Sequence, residues 1–176
     1  MKTLDCPVHG LMYAMRAVSP ALASRLQKYL SEEERFTVSS RPDSYFYSLH
    51  RRRMPGPLDE LRDVAEFFQT EYRYNWCEVR RSYPGQGLPE HTIPVSFEGS
   101  VVVFTLQAGC EVVFRRAGEE YRLYTEPWSM YILTGDAVSK WTRSIETRMV
   151  DDVGEKRLPR TTRYEVEYRS EYERRR

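Results

Sequence analysis

Few residues in this chain are able to do metal or acid–base chemistry. It has three histidines (His9, His50, His91) and three cysteines (Cys6, Cys77, Cys110). Cys6-Pro-Val-His9 has the spacing of half a zinc site. The other half is missing, because Cys77 and Cys110 have no close ligand neighbour in sequence; both read as small hydrophobes buried in strands. Glu90, Glu98 and Asp136 are candidate general acids or bases, but no nucleophile or metal ligand stands at a spacing that pairs with them. Asp136 follows Gly135 and reads as a turn residue. The arginines offer more. There are 23 of them against 4 lysines, and arginine is the better side chain for planar, bidentate contacts to carboxylate and phosphate. Genomic base composition is the simpler explanation of the bias, and a phosphate-bearing or acidic partner the alternative. Basic triplets stand at Arg51, Arg52 and Arg53, beside His50, and at Arg174, Arg175 and Arg176. Pairs at Arg80-Arg81 and Arg115-Arg116, with tyrosine and tryptophan interleaved, suit RNA contact through phosphate pairing and base stacking. A solvated face and a frayed tail form the competing reading.

One run mixes both charges. Arg163, Glu165, Glu167 and Arg169 fall on a single face if the segment is a strand. If that face points inward, its charges must pair with one another. If Tyr164, Val166 and Tyr168 point inward instead, the charges are solvated.

The elements that position these residues follow from the rest of the chain. At 176 residues and 20.9 kDa it has the length of one domain, 1–176. With 27 basic against 26 acidic side chains it is neither a strongly acidic nor a strongly basic protein, although a local basic patch is compatible with that balance. A 40% hydrophobic and 13% aromatic content is enough to build a core. No apolar run approaches the ~18 residues of a spanning helix. An odd number of widely spaced cysteines is not a disulfide framework and points to a reducing compartment. The first thirty residues hold a single acid, Asp5, a feature of organelle targeting segments, and residues 1–18 are the candidate targeting stretch. Ser19-Pro20 then reads as an N-cap and first helical residue, with Leu22, Leu26 and Leu30 on one stripe. Gly56-Pro57 opens a second helix carrying Leu58, Leu61, Ala65, Phe68 and Tyr72. Tyr45-Phe46-Tyr47 is extended.

From Asn75 onward the texture changes to short β-rich runs. Strands are predicted over 76–82, 92–96, 101–106, 111–115, 119–124, 129–133, 137–142, 145–150 and 162–169. Pro84-Gly85, Gly99, Gly109, Ala117-Gly118, Pro127, Gly135-Asp136 and Gly154 provide the breaks. The expected class is α+β: a helical N-terminal part (1–74), a β-sandwich body (75–169) and a basic tail (170–176).

Four segments resemble a known family. They are Gly87-Leu-Pro-Glu-His91, Phe97-Glu-Gly-Ser-Val101, Glu126-Pro-Trp-Ser-Met-Tyr-Ile-Leu-Thr-Gly135, and Gly154-Glu-Lys-Arg-Leu-Pro-Arg160 with Arg163. In order and spacing they resemble the double-stranded β-helix, or jelly-roll, core of the AlkB-like iron(II)/2-oxoglutarate dioxygenases. The nearest likeness is to the mitochondrial AlkB homologue that lacks a nucleotide-recognition lid. The resemblance spans about half of the chain and implies a jelly-roll core with two N-terminal helices packed on it. The region between Leu30 and Trp76 is too short and plain for a lid, so base flipping is not expected.

The resemblance also implies a ligand set, and this sequence departs from it. Such sites hold iron(II) with two histidines and one carboxylate, leaving positions open for cosubstrate and oxygen. The family pattern is His-x-Asp on one strand and a distant histidine on another. Here His91 stands in the first place, Ile93 in the carboxylate place and Arg143 in that of the distant histidine. Some relatives replace the carboxylate with a halide, so Ile93 alone is tolerable. Arg143 is not, because a guanidinium cannot ligate and repels a divalent cation. Two arginines six residues apart that grip 2-oxoglutarate match Arg163 and Arg169, and Tyr131 matches a tyrosine lining that pocket. Glu165 and Glu167 would enter with them as internal partners of Arg163, Arg169 or Arg143.

Two readings follow. In the first, the chain is a pseudo-enzyme with a degenerate metal site. It serves as a structural or interaction subunit of a larger mitochondrial, and by composition ribonucleoprotein, assembly. Its partners are proteins, RNA is a candidate, and no membrane span is expected. No cofactor is required: iron(II) is not expected, and 2-oxoglutarate remains a candidate ligand. In the second, the chain is an active 2-oxoglutarate-dependent oxygenase with an atypical iron site, acting on a protein or nucleic acid.

Overall fold

A computed structural model describes residues 2–3, 6–33, 43–48, 53–94 and 97–171. Two antiparallel sheets face each other, and two helices lie on the outside of the larger one. The larger sheet has seven strands in the order β1-β2-β9-β6-β13-β4-β3. They are β1 (Lys2–Thr3), β2 (Leu11–Ala14), β3 (Asp43–Ser48), β4 (Trp76–Ser82), β6 (Phe97–Leu106), β9 (Ser129–Thr134) and β13 (Arg163–Glu171). The smaller has the order β5-β10-β7-β8, built from β5 (Leu88–His91), β7 (Cys110–Arg116), β8 (Glu119–Thr125) and β10 (Thr142–Ile145). A ribbon of β11 (Val150–Val153) and β12 (Lys156–Pro159) completes the set. This is the jelly-roll fold expected from the sequence.

The helices form where their caps predict. α1 (Pro20–Ser31) starts with the Ser19 side chain accepting from the Leu22 amide, and it buries Leu22, Leu26 and Leu30. α2 (Gly56–Phe68) buries Leu58, Leu61 and Ala65. Both pack on the outer face of the large sheet, against Val79, Val102, Phe104, Ile132, Val166 and other residues of that face. The inner face meets the small sheet through a second apolar cluster that includes Val101, Val103, Tyr131, Val112, Phe114 and Ile145. The large sheet is therefore covered on both faces, which is why β6 reads as a nearly continuous apolar run instead of alternating.

Three predicted strands need correction. The strand placed at 92–96 is not formed over 92–94, where Pro94 lacks a ladder donor; pairing ends at His91, in β5. The first half of the segment 137–142 belongs to a short helix, α3 (Asp136–Ser139), and only Thr142 is strand. Gly135 turns the chain with φ 51° and its carbonyl receives the Val138 and Ser139 amides. Of the run 145–150 only the ends are strand: Ile145 closes β10 and Val150 opens β11. The N-terminal third also adds β1, β2 and β3 to the large sheet.

Candidate functional site

β13 runs through the middle of the large sheet, between β6 and β4. Tyr164, Val166 and Tyr168 belong to the cluster beneath the helices. Arg163, Glu165, Glu167 and Arg169 occupy the opposite, inner face, and all four are buried. Neither face of the strand is solvated. The acidic and basic side chains lie in the space between the sheets, where the resemblance puts a metal and its cosubstrate.

The centre of that space is the guanidinium of Arg143. Arg143 on β10 stands directly opposite His91 on β5. Its Nε donates to His91 Nε2 at 3.1 Å, its Nη1 donates to the Tyr131 hydroxyl at 3.1 Å, and its Nη2 donates to Glu167. One planar cation thus joins β10 to β5 of the small sheet and to β9 and β13 of the large one. An arginine N–H can only donate, so His91 Nε2 is the acceptor and the imidazole proton sits on Nδ1, which donates to the Pro89 carbonyl at 2.9 Å. Burial, and then the charge of Arg143, lower the pKa of His91, which keeps the ring neutral.

Glu167 is shared. It accepts from Arg143 and also from Arg169. Burial pushes its carboxyl up, but Arg143 and Arg169 beside it, with Arg80 beyond, outweigh this and bring it down to about 2. Burial works against the Arg143 charge too, and Glu167 overrides it and raises the guanidinium above its ordinary value. Arg169 lies over the Trp76 ring, 4.8 Å from its centroid. A cleft of about 480 Å³ opens here, lined by Trp76, Leu88, Pro89, His91 and Arg169 among others.

Glu165 has a partner that the sequence reading missed. Arg80 on β4, opposite Glu165 in the ladder, approaches it at 3.5 Å and Glu78 at 2.7 Å. In sequence Arg80 looks like half of a surface basic pair. The available signal was the alternation of β4 itself: Trp76, Glu78, Arg80 and Ser82 share one face, and Cys77 and Val79 the other. Arg163, by contrast, has no carboxylate partner among the described residues; its Nη1 and Nη2 each reach the Gln86 carbonyl at 3.4 Å.

The remaining candidates are placed as follows. Ile93 is buried in the inner apolar cluster. Cys6 is half-buried and contacts the Val8 carbonyl at 3.8 Å, whereas His9 is exposed. Among the described residues no three His, Cys, Asp or Glu side chains converge as metal ligands. Cys77 and Cys110 are buried. Glu90 accepts from Thr142 Oγ1 at 2.6 Å and pairs with Arg115 at 3.5 Å. Arg115 also meets Glu120 at 2.8 Å and Glu146 at 3.3 Å. Arg116 pairs with Glu119 at 2.7 Å and stacks on Trp141. Arg115 is thus engaged by three glutamates, and Arg116 by Glu119 and the Trp141 ring. Asp136 opens α3 and pairs with Lys140 at 3.0 Å. Arg53 is exposed. His50, Arg51, Arg52, Arg174, Arg175 and Arg176 lie outside the described residues, as does the side chain of Glu98.

The comparisons agree with this architecture. OsALKBH1 superposes with a TM-score of 0.66 at 12% identity, over 92% of this chain and 98% of that one. An oxidoreductase of the 2OG-Fe(II) oxygenase family from Burkholderia pseudomallei gives 0.62 at 12% identity, over 91% and 83%. In sequence, the uncharacterized protein L905 of Acanthamoeba polyphaga mimivirus is 30% identical over 96 residues, 52% of this chain and 46% of that protein. The chain thus spans about half the length of this relative. No family model matches the chain. Its fold is that of the AlkB-like 2-oxoglutarate oxygenases.

The side chains present do not fit the iron of that fold. The lone pair of His91 that would face a metal accepts a hydrogen bond from Arg143, Ile93 is an apolar member of the core, and the permanent cation of Arg143 beside His91 repels a metal ion. Of the residues that the resemblance gives to 2-oxoglutarate, Arg169 is held by Glu167 and the Tyr131 hydroxyl accepts from Arg143, whereas Arg163 meets only the Gln86 carbonyl among the described residues.

Proposed function

We propose that this chain is a non-catalytic protein built on the AlkB-like oxygenase fold, serving as a structural or interaction subunit of a larger assembly. The observation that carries this reading is the Arg143 guanidinium bonded at once to His91, Tyr131 and Glu167. It supplies the cation that this space requires, and no position is left at which a metal would meet oxygen. Fold alone does not confer activity, so the residues decide. The cluster joins the two sheets from within, which suits a rigid body that offers its outer surface to partners. The acid-poor N-terminal stretch and the likeness to the lidless mitochondrial homologue favour a mitochondrial home, and the arginine-rich composition favours a partner that carries RNA or acidic protein surface.

An anaerobic calorimetric titration of the purified chain with iron(II), followed by 2-oxoglutarate, tests the reading. No saturable heat from iron(II) is expected, and no tighter binding of 2-oxoglutarate when iron(II) is present. Micromolar iron binding that disappears in His91→Ala would overturn it. Replacing Arg143→His together with Ile93→Asp should create metal affinity where there was none, read by the same titration.

A further inference from the structure

On the helical side of the large sheet, a groove of about 590 Å³ lies between the start of α1 and the turn that leads into β9. Ligand-binding clefts commonly hold about 300–1,000 Å³. Val18, Pro20, Ala23, Pro127 and Trp128 give this one apolar walls. Trp128 also packs against the cluster beneath the helices. Its backbone is left-handed, with φ 63°, a conformation that a bulky side chain avoids unless its surroundings impose it. Here they do: the Trp128 amide donates to the Thr105 carbonyl at 2.8 Å, and the Trp128 carbonyl accepts from the Val18 amide at 3.4 Å. Arg16, which also lines the groove, has φ 53°. It follows β2, whose pairing with β9 ties it to the folded body. Among the described residues, two of the four non-glycine positions with positive φ therefore line this single groove. Strain held in place by the surrounding structure is a mark of functional sites.

The charge of the groove is uncommitted. Arg16 is exposed and forms no ion pair among the described residues. The next cation along the chain, Arg25, is taken by Glu60. No acidic side chain lines the groove, and α1 has none in its first turn. Glu126, next to Pro127 in the chain, is exposed and does not line it. The two serines are spent within α1: Ser19 Oγ accepts from the Leu22 amide, and Ser24 Oγ donates to the Pro20 carbonyl. Gln27 is exposed and its amide makes no hydrogen bond among the described residues, so a donor and an acceptor remain for a ligand. Met15, one of three large apolar side chains exposed among the described residues, precedes Arg16.

A ligand that matches these features has an apolar body for the walls, one negative charge for Arg16 and a peptide-like group for Gln27. RNA does not match, because its backbone carries a charge at every nucleotide and is held by several cations. We propose that the groove docks a short peptide segment of a partner protein, with an aliphatic or aromatic side chain against Trp128 and a nearby aspartate or glutamate on Arg16. Tryptophan and arginine are the side chains that most often anchor protein interfaces. The proposal rests on the interaction-subunit reading and gives that subunit its docking face.

The test is a selection of random peptides displayed on phage against the immobilised full chain, with the enriched sequences synthesised for calorimetry. Enrichment of an acidic residue close to an apolar one is expected. Arg16→Glu should weaken those peptides about tenfold or more, and exchanging the peptide's acid for lysine should restore binding to that variant. Restoration shows at once that the variant is folded and that this side chain meets that acid. The proposal is overturned if no such sequence is enriched, if the peptides bind the parent chain and Arg16→Glu equally, or if a short RNA displaces them with a steep dependence on salt. The iron(II) titration probes a different space. Metal binding there would overturn the non-catalytic reading and leave the groove in place, whereas failure of the peptides would leave that reading intact.

Discussion

Glu167 is the joint of the buried cluster, and its chemistry sets the acid behaviour of the molecule. The carboxyl titrates near 4.5 when free and near 2 when folded. The unfolded chain therefore takes up this proton first on acidification. Stabilisation from Glu167 is fully present above pH 4.5 and is lost as pH falls through 2. His91 adds to the loss from a higher starting point: its folded pKa lies below the ordinary 6.5, so its stabilisation begins to fade as pH drops below that value. Glu167→Gln should flatten the dependence between pH 4.5 and 2, and should cost about 3–5 kcal/mol at pH 7, because two buried guanidinium groups lose their carboxylate. Urea denaturation at a series of pH values measures both effects. At this scale the sequence is partly legible. The order of charges along β13 and the arginine in a ligand's place are visible in the text of the chain. Which arginine meets which glutamate is not, because Arg80 reaches Glu165 through a cross-strand register that no local pattern encodes.

The elements carry the same lesson in a different form. α1 and α2 are legible because capping and a 3.6-residue stripe are local properties. β4 and β13 are legible by their alternation. α3 is not, since Ala137 and Val138 look like strand residues, and it is the left-handed Gly135 that turns them into a helix. Another glycine fixes where β2 meets the main sheet. Gly10 has φ +93°, and a Cβ built on it would lie 2.1 Å from the Thr134 carbonyl oxygen. Its own carbonyl receives the Thr134 amide at 3.0 Å, just ahead of the β2–β9 ladder. Gly10→Ala therefore combines an unfavourable backbone conformation with a clash against backbone that cannot swing aside. It should cost more than about 1 kcal/mol, seen as a lower Tm with the secondary structure retained.

At the scale of the whole molecule, one sheet serves two cores. The layer under the helices and the layer between the sheets share β6, β9 and β13, so neither can be lost while the other persists. Unfolding should be a single transition, with near- and far-ultraviolet dichroism changing together. Leu26→Ala in the helical layer should shift that transition by about 2–5 kcal/mol without splitting it. The overall architecture is readable from helices followed by many short strands. The double covering of the large sheet is not, because a polar inner face on β13 suggests solvent to any rule based on hydropathy alone. That polar face also bears on how the protein is made. On the proposed non-catalytic reading its central cation is part of the polypeptide and arrives with translation, so maturation would need no loading step, and iron scarcity, chelators and peroxide would leave the protein unchanged. A single substitution toward an iron site would be costly on the same reading: Arg143→His alone strips Glu167 of one partner, and Ile93→Asp alone sets a carboxylate among apolar side chains.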